Sequence, residues 1–94
     1  MRKRAALPKL SRVVRADAEH AYRLVAEEVA AHVQAAMAGR GVGAADVADA
    51  CPAVHARDME TAMMGNGVPH LRYLVEIGLA LGMDVRVVLQ ARKE

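Results

Sequence analysis

The stretch GNGVPHLRYLVEIGLALG, residues 65–82, decides the fold. Its opening Gly65-Asn66-Gly67 closes the element before it, because this tripeptide favours turn backbone over helix. Pro69 then opens a helix, since its missing N–H falls where the first helical turn has no partner to offer. Leu71, Leu74, Val75, Ile77, Leu79 and Leu81 make that helix apolar nearly all round, which predicts a central, buried element. Gly82 ends it. Asp84 is placed to cap a last short helix in which Val85, Val88 and Leu89 face inward.

Upstream, a third helix fits His55 to Met64, with Met59, Ala62 and Met63 inward. A short second helix fits Ala44 to Cys51, with Val47, Ala48 and Cys51 on one face. Pro52 ends it, because proline has no N–H to donate and its predecessor avoids the helical region. A long first helix begins at Ser11 or Asp17, either of which can cap it, and runs to Ala38. Ala18, Tyr22, Val25, Val29, Val33 and Ala36-Met37 recur at three- and four-residue steps along it and predict one apolar stripe. Arg15, Glu19, Arg23 and Glu27 form a solvated ladder of alternating sign on another side. Gly39, Gly41 and Gly43 stop the helix.

A chain of 94 residues has room for one core. Its hydrophobic share of 54% is dominated by alanine, and Trp and Phe are absent. Val, Leu, Ile and Met packed between closely spaced helices must therefore form that core. Ala, Leu, Met, Arg and Glu are good helix formers, so the expected class is all-α. Residues 1–15 read as a basic arm and 16–94 as the folded domain. Net charge is only +2, but Arg2, Lys3, Arg4, Lys9, Arg12 and Arg15 all precede the first acid, Asp17. Such an arm can follow a phosphate backbone and release counterions, or serve as a solubilising tail.

Several function classes are not expected from the composition and patterning. Cys51 is the lone cysteine and fits a reducing compartment; Ala5-Ala6-Leu7 after the basic start is too short for a signal peptide's apolar region, so none is expected, and no apolar run is long enough for a membrane span. A cytoplasmic protein is expected. Cys51, His55 and His70 tempt a metal reading, but Pro52 breaks the helix between the first two and no structural-zinc pair spacing occurs. No glycine-rich loop follows a strand, and the acids fall on exposed helix faces rather than in a pocket. The expectation is a non-enzymatic protein without cofactor or metal.

The order of long helix, glycine turn, two short helices, glycine turn and buried helix resembles the phage-repressor/Cro-type (lambda-repressor-like, xenobiotic-response-element) helix-turn-helix family. The likeness runs from about Glu28 to Leu89. Gly41-Val42-Gly43 stands where that family has Gly-Leu-Ser, and Val47-Ala48 where it has Leu-Ala. Val54 starts the second limb, Met59 takes its buried apolar position, and Gly65 is the glycine after it. Pro69, Leu74, Ile77 and Leu81-Gly82 match the remaining pattern in spacing. The chain departs from the pattern in three places: Pro52-Ala53 lengthens the turn, Ala44 and Ala45 replace a common glutamine, and Met63 replaces an acid.

The resemblance implies a compact five-helix domain with an extended first helix. Val47, Cys51, Val54, Met59 and Ala62 would fill the wedge between the two short helices, with small Ala48 permitting their approach. It further implies a sequence-specific regulator, a repressor or Cro-like switch, that binds a pseudo-palindromic operator in double-stranded DNA as a homodimer. His55, Ala56, Arg57, Asp58, Glu60 and Thr61 would then read bases, Arg57 pairing with guanine. Arg2, Lys3, Arg4, Arg40, Asn66, His70 and Arg72 would contact phosphate. The dimer interface falls to the first or the last helix. Asp58 and Glu60 on the third helix also fit two other readings: an antitoxin that binds operator and toxin, and a protein-interaction module that keeps the fold without binding DNA.

Overall fold

A computed structural model describes residues 12–91, with side chains from Arg15 onward. The basic residues Arg2, Lys3, Arg4 and Lys9, and the cap expected at Ser11, lie outside the described residues. All regular structure among the described residues is helical, in four elements: α1 (Arg12–Arg40), α2 (Ala44–Ala50), α3 (Ala56–Met64) and α4 (Leu71–Ala80).

The glycine punctuation acts as hydrogen-bonded stops. At the end of α1, Gly41 adopts φ +66°, its N–H reaches the Ala38 carbonyl, and Val42 N–H reaches that of Met37. The end of α4 repeats the arrangement: Gly82 sits at φ +76°, its N–H bonds Leu79, and Met83 N–H bonds Gly78 at 2.8 Å. Both are Schellman closures, in which a left-handed residue returns two N–H groups to orphaned carbonyls. At the start of α2, the Asp46 carboxylate accepts from Gly43 N–H at 2.8 Å.

The core joins all four helices. Val33 and Met37 of α1 meet Val47 of α2, Met59 and Ala62 of α3, and Ile77 with the following Leu81 from α4. Cys51 and Val54, in the five-residue connection between α2 and α3, are buried in the same cluster. The wedge residues expected from sequence, Val47, Cys51, Val54, Met59 and Ala62, are all buried. Ala48 is not; it lies on the exposed side of α2.

Four expectations are corrected. The fifth helix does not form: residues 83–91 carry no regular secondary structure, and Val87, Val88 and Leu89 are exposed. Instead Val85 is half-buried against α4, its Cγ2 only 2.6 Å from where a side chain on Gly78 would begin. Valines at 85, 87 and 88 disfavour a helix here, because β-branched side chains lose rotamer freedom in one. Second, α4 begins at Leu71 rather than Pro69; His70 is its N-cap, its Nδ1 accepting Arg72 N–H at 3.2 Å. Third, α4 is covered on one face only, since Leu71 and Leu79 are more than half exposed.

Fourth, the stripe on α1 lies elsewhere in its first half. Ala18, Tyr22 and Val25 are exposed, and the buried line is Ala26, Ala30, Val33 and Met37. Small side chains at 26 and 30 let α3 and the loop after it come close to the α1 backbone. Ile77 is fully buried at the centre of the core. Ile77→Ala is therefore expected to lower the unfolding free energy by about 2–5 kcal/mol, read as a shifted urea midpoint with unchanged helical signal in water.

Candidate nucleic-acid interface

The starts of α3 and α4 meet at an aromatic trio. Tyr73, in the first turn of α4, stands edge-on to His55, with ring centroids 5.9 Å apart. It also packs against His70, at 5.6 Å. His55 is the N-cap of α3 and His70 that of α4. One half-buried tyrosine thus ties two helix N-termini side by side. A helix N-terminus carries partial positive charge and N–H groups without intrahelical acceptors. Because His70 Nδ1 accepts the Arg72 amide, the proton of the neutral ring sits on Nε2, which remains a donor.

Around this junction His55, Ala56, Arg57, His70 and Arg72 are exposed. Among the described residues no Lys or Arg lies within salt-bridge distance of a carboxylate; the one histidine–carboxylate contact is His32 with Glu28, at 3.8 Å on α1. Neither Arg57 nor Arg72 is neutralised by a carboxylate there. Asn66 is exposed just past the other end of α3. Asp58, half-buried in the first turn of α3, is accounted for by the helix itself, since an acid there favours the macrodipole. Glu60 is exposed.

Two expected contact residues are otherwise engaged. Thr61 is half-buried and donates its hydroxyl to the Arg57 carbonyl at 2.9 Å, which leaves that hydroxyl only its acceptor capacity. Arg40 lies at the far end of α4 from His70. Its Nε donates to the Leu81 carbonyl at 2.9 Å, and its guanidinium covers Gly82. Arg40 therefore closes the C-terminus of α4 and does not join the others.

Beside the trio opens a cleft of about 350 Å³ lined by Ala53, His70, Arg72, Tyr73 and Glu76. Glu76 Oε2 is buried with no hydrogen-bond donor on it among the described residues. Behind the cleft, Cys51 donates its thiol to the Glu76 carbonyl at 3.6 Å. Burial, and secondarily the Glu76 charge, push the Cys51 thiol above its ordinary value. Tyr73 and Glu76 escaped the sequence reading. The available signal was spacing: Tyr73 follows His70 by three residues and Glu76 follows Arg72 by four, placing each pair on one helical face.

Among the described residues no group of three or more His, Cys, Asp or Glu is arranged to hold a metal ion. Among them, too, no helix is long and apolar enough to cross a membrane. No family model, curated protein or solved structure matches this chain.

The raised Cys51 thiol has a signed consequence. Below the ordinary thiol value of 9.0 both folded and unfolded chains hold the proton, and the stability contribution is complete. As pH rises past it, the unfolded chain releases the proton first, so stability falls until the folded thiol also ionises. Urea unfolding at about pH 8 and about pH 10 is expected to show a larger loss in wild type than in Cys51→Ala. Equal losses would mean that the thiol is unperturbed.

Proposed function

We propose that this chain is a sequence-specific transcriptional regulator that binds double-stranded DNA through α3, the second limb of a helix-turn-helix whose first limb is α2, with the start of α4 beside it. The observation that carries the reading is the His55–Tyr73–His70 trio, which brings the starts of α3 and α4 to one exposed face beside Arg57 and Arg72, neither of which meets a carboxylate among the described residues. In this reading α3 enters the major groove N-terminus first. Arg57 makes two hydrogen bonds to guanine O6 and N7, with His55, Ala56 and Glu60 as neighbours at the base edges. The N-terminus of α4, His70 Nε2–H, Arg72 and Asn66 take the phosphate backbone, and the basic arm with Arg2, Lys3 and Arg4 extends that contact. Two copies on a pseudo-palindromic operator would act as a repressor or Cro-like switch by occluding transcription.

A second reading has its own support. The outer side of α2 carries exposed Asp46 and Asp49, and α3 carries exposed Glu60 and a largely exposed Met64. An acidic surface with an adaptable methionine suits a protein partner better than a polyanion. DNA selection from random duplexes, followed by titration of the recovered site at several salt concentrations, separates the two.

On the recovered site, Arg57→Ala is expected to cost about 1–3 kcal/mol while leaving random-sequence binding nearly unchanged. Arg72→Ala should weaken all sequences alike and make the salt slope shallower by about 1. Wild-type affinity in both variants would remove α3 and α4 from the interface. Deleting residues 2–4 should weaken binding on every sequence, and no change would return the arm to a solubilising role.

A further inference from the structure

The loop between α3 and α4 is laid back along α1, and the contacts run in order. Gln34 donates its side-chain amide to the Met63 carbonyl in the last turn of α3. Next, Gly65 passes so close to α1 that a Cβ on it would stand 3.5 Å from Ala30 Cβ and 3.6 Å from Glu27 Cα. Then Val68 N–H donates to the Tyr22 hydroxyl at 2.7 Å. Gly67 fits between that hydroxyl and the Thr61 methyl, 3.4 and 3.3 Å from its would-be Cβ. The loop therefore descends α1 from residue 34 to residue 22, about 18 Å of helix.

Tyr22 is the last of these contacts and differs in kind from the others. The residue is about half exposed, so the ring is only partly covered. Its hydroxyl is committed to the amide just before Pro69, a residue with no N–H of its own to anchor the chain. Beyond Val68 the next polar restraint is the His70 cap. An exposed amide released from such a bond turns to water, so its loss costs little stability. Geometry suffers more, because residues 66–69 would then be tied to α1 only through Gly65 at one end and to α3 only through the His70–Tyr73 packing at the other.

We propose that Tyr22 is a positioning residue: through Val68 it holds the loop that carries Asn66 against α1, while the His55–Tyr73–His70 trio sets the start of α4 beside α3, so that loop and helices can meet one DNA duplex at once. The role rests on the DNA-binding reading above, and it gives the forward extension of α1 a task. Phosphate contacts set the register of a protein on the duplex, and a loop free to shift would make fewer of them together.

Tyr22→Phe removes only the oxygen and tests this in the full-length protein by two readouts. Val68 amide exchange, followed by NMR, is expected to accelerate by roughly tenfold with the helical content unchanged. Affinity for a short random-sequence duplex should fall by roughly threefold or more, with a shallower salt dependence than wild type. A folded protein in which Tyr22 served stability alone would keep its salt slope. Unchanged Val68 exchange would overturn the clamp itself. Faster exchange with unchanged affinity and slope would overturn the positioning role. If wild type binds no duplex at all, the DNA reading fails and takes the role with it, while Val68 exchange still reports separately whether the clamp exists.

Discussion

The close approach of α3 to α1 is the constraint on which the rest of this molecule depends. It is made by what is missing: Ala26, Ala30 and Ala62 are buried to 1%, 5% and 0% exposure, and Gly65 has no side chain where the backbone of α1 passes. With no Phe or Trp to fill space, this chain cannot build its core from large plates set between distant helices. It brings helices together over small residues and fills the remaining wedge with Val33, Met37, Val47, Val54, Met59 and Ile77. Interiors pack to crystal-like density, so α3 has little freedom to rotate or slide on α1. The residues on its outer side inherit that fixed orientation.

From this follows the arrangement at the other end of α3. Because α3 is held by α1 and the α3–α4 loop is laid along the same helix, α4 starts beside the start of α3, and Tyr73 fills the gap between the histidines at the two N-cap positions. The electrostatics of that face are mixed. Two arginines without carboxylate partners among the described residues and two helix N-termini favour an anion, while Glu60 and the partly buried Glu76 oppose one. Asp58, in the first turn of α3, offsets the partial positive charge of that N-terminus and so also opposes an anion. The cluster on the far side, Arg40 with Leu81 and Gly82, serves closure of α4. Arginine count alone therefore misjudges the positive character of the surface.

Much of the fold was legible because its punctuation is local. Gly41, Gly65 and Gly82 stop helices by left-handed backbone, and Pro52 breaks α2 from α3; these signals act within a few residues. The wedge between α2 and α3, Val47, Cys51, Val54, Met59 and Ala62, was legible through the family resemblance; helical spacing alone covers only Val47 in α2 and Met59 with Ala62 in α3. What escaped depends on partners far along the chain. Tyr22 was read as part of an apolar stripe, yet its hydroxyl serves an amide 46 residues away. Gln34 bonds a carbonyl 29 residues away. Arg40 looked like a phosphate ligand until Leu81, 41 residues on, came into its reach. The last helix was misread because Asp84 is a good cap, but Val85 gains more by packing on Gly78 than by starting a turn.

The central claim is that the starts of α3 and α4 form one DNA-facing surface. The most direct measurement is an amide NMR titration of the labelled protein with a short duplex at low salt. The account places the largest shifts at residues 55–57 and 70–73, with smaller ones at Asn66, and none on the outer side of α2 at Asp46 and Asp49. Shifts concentrated on Asp46, Asp49 and the exposed first half of α1, or no shifts at any duplex concentration, would contradict it.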